Sequence, residues 1–354
     1  SDTGARGGDA RGEAGKGRME AMVVEEPEAP AVAGRAKGRT REEEAQAEAG
    51  AQNKPWIEKY RPKALADVAA HKEIVDTISR LTREGKLPHL LLYGPPGTGK
   101  TSTILAVARE LYGGSYQNMT LELNASDDRG IDVVRQEIKD FASTRRIFSS
   151  GFKLVILDEC DSMTKDAQFA LRRVMEKYTR NTRFCLICNY ASKVIHALQS
   201  RCTRFRFSPL PMEAARERVV SISQAEGVSM DEGGLGAVLR LGGGDMRRTL
   251  NILQSTHMAF PSVSEEAVYA CTGNPLPKDV EQVAYWVLNE DIATAHERIR
   301  VLQAEKGVAL QDIVRDVAPY VFKLNIPQEA RIALVESLAD LEHRLAFVAQ
   351  EKLQ

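Results

Sequence analysis

Gly94, Gly99, Lys100 and Thr101 fit the spacing G-x-x-x-x-G-K-[ST] within Gly94-Pro95-Pro96-Gly97-Thr98-Gly99-Lys100-Thr101-Ser102. Glycine has no Cβ, so successive backbone N–H groups can close around an anion. A helix starting at the lysine adds its positive end to the same anion. Lys100 can reach the outer phosphates of a nucleotide, and the Thr101 hydroxyl can ligate Mg²⁺. The plain alternative is a glycine-rich turn before a surface helix. It leaves unexplained the apolar run Leu90–Tyr93 ahead of the loop and the helical spacing of Ser102–Leu111 behind it. The loop therefore predicts binding of a nucleoside triphosphate.

A second group follows downstream. Phe152-Lys153-Leu154-Val155-Ile156-Leu157 ends in Asp158-Glu159, two carboxylates at the tip of an apolar run. Beside a phosphate loop, Asp158 can hold the Mg²⁺ shell while Glu159 orients or deprotonates water. The alternative is an exposed acidic turn. Asn189 ends the next apolar run and could orient the attacking water, although asparagine is also a common turn residue. Arg201, in Gln199-Ser200-Arg201-Cys202, and Arg247, in Gly244-Asp245-Met246-Arg247-Arg248, occupy exposed junctions. Either could instead make an ordinary surface ion pair.

These residues need elements to position them. Strands are expected over 90–93, 120–124, 153–158, 183–189 and 203–207, with helices over 100–111, 131–142, 165–178 and 193–199. Strands alternating with helices imply a parallel sheet covered on both faces. After Pro209 and Pro211 the pattern turns wholly helical. Val219 and Ile222, then Leu235, Val238 and Leu239, then Met246, Leu250 and Leu253 mark three short amphipathic helices. The turn Gly273-Asn274-Pro275 leads into a last helical segment. Its stripes are Val280, Val283 and Val287, then Ile313, Val317 and Val321, then Leu338, Leu341, Leu345 and Val348. The expected division is a disordered extension over 1–53, a P-loop domain over 54–208, a helical lid over 209–273 and a helical collar over 274–354. The extension holds almost no large apolar side chains and cannot bury enough surface to order itself. The chain opens with Ser1 rather than Met, and its true start is expected upstream.

The 354 residues allow two or three domains, and 48 basic against 49 acidic residues make any nucleic-acid surface a local patch. Five cysteines without a regular framework suggest a reducing compartment. Cys185 and Cys188 have the spacing of a metal half-site, but on a strand they point to opposite faces and read as core. No apolar run approaches a membrane span and no secretory signal is visible, so the sequence reads as soluble and intracellular.

In order along the chain stand Trp56-Ile57-Glu58-Lys59-Tyr60-Arg61-Pro62, the phosphate loop, Glu122-Leu123-Asn124-Ala125-Ser126-Asp127-Asp128-Arg129-Gly130, Leu157-Asp158-Glu159, Ser200-Arg201-Cys202 and Gly244–Arg248. Together they resemble the small subunits of replication factor C, the eukaryotic sliding-clamp loader of the AAA+ class. The stretches 184–190 and 201–207 are most similar to the subunit type numbered three or five. The likeness covers about residues 54 to 354.

The resemblance implies an AAA+ ATPase with ATP and Mg²⁺ as its ligands. Lys100 and Thr101 would hold phosphate and metal, Asp158 would be the metal-side acid and Glu159 the catalytic base. Asn189 and Arg247 would be the first and second sensors, and Arg201 a finger serving a neighbour's ATP. Trp56, Tyr60, Arg61 and Pro62 would flank base and ribose, with Val68 lining the adenine pocket. Arg129 and Arg135 match positions facing duplex DNA, although Arg135 and Lys139 alone read as a solvated i,i+4 pair. Implied partners are the other subunits of a heteropentamer, the sliding clamp PCNA and primer–template DNA in the nucleus, with no membrane. Two departures stand out: Cys160 replaces a frequent alanine, and the chain stops at Gln354 where the family continues into another collar helix.

Two rival readings remain. One is a scaffold subunit that holds ATP, hardly turns it over and lends Arg201 to its neighbour. The other is a P-loop GTPase or kinase, which Asn53-Lys54-Pro55-Trp56 disfavours by failing the N-K-x-D pattern for guanine.

Overall fold

Leu90, Leu91 and Leu92, Leu154 to Leu157, and Phe184 to Cys188 are almost wholly removed from solvent. Such unbroken apolar runs belong to strands buried on both faces. The computed structural model describes residues 54–68, 70–126, 131–144, 151–323 and 325–347. It places five strands in one sheet of order β2-β3-β4-β1-β5: β1 Leu90–Tyr93, β2 Thr120–Asn124, β3 Lys153–Asp158, β4 Thr182–Cys188 and β5 Thr203–Arg206. Every pairing is parallel. All five C-terminal ends therefore share one edge. The expected α/β fold is observed, with β4 starting and ending one residue earlier than expected and β5 ending one residue earlier.

Alternate strand residues feed two cores. Leu91, Val155, Leu157, Phe184, Leu186 and Cys188 pack with Ile138 of α5 (Ile131–Ser143), Leu171 and Met175 of α6 (Lys165–Tyr178), and Leu198 of α7 (His196–Gln199). Leu90, Leu92, Leu154, Ile156, Cys185 and Ile187 pack on the other face with Ile78 of α2 (Lys72–Arg83) and Ile104 of α3 (Lys100–Tyr112). Cys185 and Cys188 thus enter different cores, as strand alternation requires. Two short helices, α1 (Trp56–Lys59) and α4 (Tyr116–Met119), complete this part.

Beyond the sheet come four helices where three were expected: α8 Met212–Glu226, α9 Glu232–Gly242, α10 Met246–Ala259 and α11 Glu265–Thr272. The extra helix, α11, has eight residues and buries Ala267, Val268 and Tyr269, too short a stretch for a period to emerge. The Ser264 hydroxyl caps it by accepting from Ala267 N–H at 3.2 Å. Val219, Ile222, Leu235, Val238, Leu250 and Leu253 form the core of this helical group. Trp56 joins them from the far end of the sequence.

The last segment comprises α12 Pro277–Asn289, α13 Ile292–Lys306, α14 Leu310–Lys323 and α15 Gln328–Phe347. Val280 and Val283 are buried as expected, but Val287 is 55% exposed and Trp286 is buried in its place. Adjacent helix positions differ by ~100°, and the packed neighbours Ala295, Leu302 and Ile313 cover the side of the larger Trp286 surface. Val348 and the N-terminal extension lie outside the described residues.

Candidate functional site

The phosphate loop leaves β1 at the shared C-terminal edge and enters α3 at Lys100. Ligand crevices in open α/β sheets form at this edge. Gly94 has φ +145°, and a Cβ there would stand 1.9 Å from the Phe207 carbonyl oxygen, so no side chain fits. Lys100 is buried and donates from Nζ to the carbonyls of Gly94 and Pro95, each at 2.8 Å, and to Asn189 Oδ1 at 3.1 Å. Burial pushes its ammonium below the usual lysine value, against the opposing pull of Asp158. The Thr98 hydroxyl also donates to Pro95 O, at 2.9 Å, closing the turn.

Neighbouring strand ends bring in the carboxylates. Thr101 Oγ1 donates to Asp158 Oδ2 at 2.7 Å, joining the start of α3 to the end of β3. Asp158 Oδ1 accepts the backbone N–H of Glu159 at 2.9 Å. Glu159 itself has φ +54° and ψ +38°, a left-handed conformation that costs a residue with a Cβ ~1–2 kcal/mol. Asp161 Oδ2 accepts from the backbone N–H groups of Asn189 and Tyr190, both at 3.3 Å, and so fixes the segment leaving β4. Gln168, buried in α6, braces the same segment. Its amide donates to the carbonyls of Met163 and Lys193 and accepts from Ile195 N–H.

A polar cavity is lined by Pro96, Gly97, Thr98, Gly99, Lys100, Thr101, Ser102, Asp158, Glu159, Asn189, Arg61 and Arg247. Glu122, Leu123 and Asn124 line it as well, and sequence reasoning assigned them no role. Their signal was register: Asn124 pairs with Asp158 across β2 and β3. Arg247 arrives from α10, whose cap Asp245 accepts from the N–H groups of Arg247 and Arg248 at 2.8 and 3.2 Å. That cap lies against the loop. A Cβ on Gly97 would meet Asp245 Oδ1 at 1.6 Å, and Met246 N–H donates to Gly97 O at 3.3 Å.

An apolar slot adjoins it, sharing Arg61, Gly97, Thr98, Gly99, Ser102 and Arg247. Tyr60, Arg61, Pro62 and Val68 line the slot, as do Met246, Leu250 and, without a role in the sequence reading, Ile57, Ala70, Leu210 and Arg218. Met246 and Leu250 had read only as a core stripe. Trp56 lines neither cavity. It is 6% exposed in the helical core, tilted against His257 with ring centroids 5.7 Å apart, and its backbone N–H donates to Gln254 Oε1 at 3.0 Å.

Arg201 also stands apart. Thr203 pairs with Leu90 at the beginning of β1, whereas Gly94 follows its end. The length of β1, ~13 Å, thus separates the Arg201 backbone from the loop. Its guanidinium pairs with Glu176 at 2.5 Å and donates to Ala197 O at 2.7 Å. Arg129 lies outside the described residues, and so does the Arg135 side chain.

The model of the AAA family, "ATPase family associated with various cellular activities", matches residues 90–210, and that of the "Replication factor C C-terminal domain" matches residues 275–354. The chain is 63% identical over 308 residues to replication factor C subunit 3 of Oryza sativa subsp. japonica, covering 86% of this chain and 85% of that protein. It is 58% identical to replication factor C subunit 5 of Arabidopsis thaliana, over 85% of this chain and 84% of that one. It is 56% identical to replication factor C subunit 5 of Homo sapiens, over 85% and 89%. A solved RuvB variant from Thermotoga maritima shares the fold at TM-score 0.50 and 15% identity, over 78% of this chain and 98% of that one.

Proposed function

Since this chain belongs to the replication factor C family and carries an AAA ATPase domain, we propose that it binds ATP with Mg²⁺ and hydrolyses it within a nuclear clamp-loading complex. The supporting observation is the convergence of Lys100, Thr101, Asp158, Glu159, Asn189 and Arg247 on one polar cavity beside an apolar slot. The slot suits a purine base and the cavity a triphosphate. Lys100 neutralises the outer phosphates, and Asn189 and Arg247 contact the γ-phosphate. Glu159 takes the proton of the attacking water as its oxygen bonds to the γ-phosphorus and the bond to the β-phosphate bridge breaks.

The residues present fit Mg²⁺. The Thr101 hydroxyl and the Asp158 carboxylate converge within 2.7 Å. Magnesium prefers one or two such oxygens plus phosphate to an all-protein cage. Bound there, it would supply charge neutralisation at the phosphates.

On this reading residues 54–208 are the ATPase domain, 209–273 its lid and 274–354 the collar that joins it to the other replication factor C subunits. Arg201 serves a neighbour's nucleotide, and Arg129 and Arg135 face primer–template DNA while the assembly opens the sliding clamp. The rival, a scaffold subunit that holds ATP without turning it over, is separated by experiment. In the reconstituted complex, Lys100→Ala is expected to abolish ATP binding at this site. Glu159→Gln should retain binding while losing turnover. Glu159→Gln turnover equal to wild type at this site would remove Glu159 from the role of base.

A further inference from the structure

The slot is walled on one side by the segment running from α1 to Pro62 and on the other by α8 and α10. Four ties cross between the two sides, one of them the Trp56 backbone N–H on Gln254 Oε1. Tyr60 OH donates to Glu226 Oε1 at 2.5 Å, Lys59 Nζ sits 2.6 Å from the same oxygen, and Arg218 donates to the Tyr60 carbonyl at 3.0 Å. The Tyr60 and Lys59 ties meet at one carboxylate, and Glu226 lines neither cavity.

Glu226 is the last residue of α8. An acid at that end opposes the helix macrodipole, so helix formation does not account for it. Its side chain is largely shielded, at 17% exposure, and Lys59, the last residue of α1, and Tyr60, which caps that helix, converge on it. Tyr60, Arg61 and Pro62 follow directly and form the wall. Removing the carboxylate loosens the Lys59–Tyr60 end of α1, with Trp56 on Gln254 and Arg218 on the Tyr60 carbonyl still in place, and leaves Lys100, Thr101 and Asp158 untouched.

We infer that Glu226 is a positioning residue for nucleotide affinity, holding Lys59 and Tyr60 so that the Tyr60–Pro62 wall closes the base slot against the lid. The inference rests on the reading of the slot as the base site. It predicts an effect on binding that is separate from the chemistry, because Glu226 acts through the wall and not on the phosphates.

The test uses the full chain in the reconstituted complex, with fluorescent mant-ADP as the binding probe and steady-state ATP hydrolysis as the second readout. Glu226→Gln is expected to raise the mant-ADP Kd about fivefold and KM for ATP similarly, with kcat at saturating ATP unchanged. Tyr60→Phe should raise Kd in the same direction, and the double variant should be no weaker than the worse single one, since both weaken the shared Tyr60–Glu226 contact. Glu226→Asp, which keeps the charge, should recover part of the loss. A Kd within experimental error of wild type for Glu226→Gln, a fall in kcat at unchanged KM, or full additivity with Tyr60→Phe would each overturn the inference. Failure of the nucleotide reading itself would look different: Lys100→Ala would then bind mant-ADP as wild type does.

Discussion

At the scale of single residues, Glu159 departs from the backbone conformation that a residue with a Cβ prefers. Its left-handed backbone, at φ +54°, is shared among described non-glycine residues only with His71, at φ +64°. The conformation turns the chain sharply after β3. It lets Asp158 accept the Glu159 N–H and lets the Glu159 carbonyl accept from Ser162. Strain of this kind persists where surrounding bonds over-determine it and tends to collect at functional sites. Glu159→Gly should relieve it, since glycine adopts this region freely, and none of these backbone bonds is lost. The expected gain is about 1 kcal/mol, or roughly 2 °C in melting temperature, together with loss of ATP turnover. Calorimetry of the purified variant checks the first expectation. A lowered midpoint would mean that the glutamate side chain stabilises its turn more than the backbone strains it.

Between elements, His89 joins the start of β1 to β4. Its ring is buried, Nδ1 accepts the Phe184 N–H at 3.1 Å, and Nε2 stands 3.4 Å from Thr179 Oγ1. Burial, aided by the nearby Arg183 charge, lowers its pKa from the usual 6.5 to about 4. The sign follows. Below 6.5 the unfolded chain takes up a proton that the folded chain refuses until about pH 4, so acidification across that window favours unfolding. Between pH 7 and pH 5 this one group should remove about 2 kcal/mol of stability. Urea titrations at both pH values should show His89→Gln less stable than wild type at pH 7 and less sensitive to acidification by about that amount. An identical pH dependence in the two proteins would mean that the buried ring does not govern this window.

For the whole molecule, the proposed role of Arg201 on a neighbour's nucleotide would make turnover depend on assembly. Arg201 precedes β5 at the sheet edge opposite the phosphate loop, and Glu176 already holds its guanidinium. A finger acting on a neighbour's ATP is worth ~10³–10⁵ in rate, far above the ~0–1 kcal/mol of an exposed ion pair. The isolated chain should therefore bind ATP and hydrolyse it poorly. Arg201→Ala should leave binding at its own site intact and silence the adjacent subunit. Single-turnover hydrolysis, in complexes where only the adjacent site keeps its catalytic glutamate, measures this directly. Wild-type rates there would return Arg201 to the role of a surface ion pair.

The sequence by itself determined the strands, the phosphate loop and the Asp158-Glu159 pair, because each is a local signal: an apolar run, glycine spacing, acids at a strand end. It could also place Cys185 and Cys188 on opposite faces, since strand alternation needs no partner. The walls of the apolar slot were decided only by tertiary structure. Trp56 and Tyr60 lie four residues apart in one motif, yet one enters the helical core and the other lines the slot. Val287 lost its place to Trp286 for a similar reason, because burial depends on which neighbour covers a helix and not on the stripe alone. Glu226 carried no local signal at all. Its partners stand 166 and 167 positions away along the chain, a meeting that no spacing rule anticipates and only folding produces.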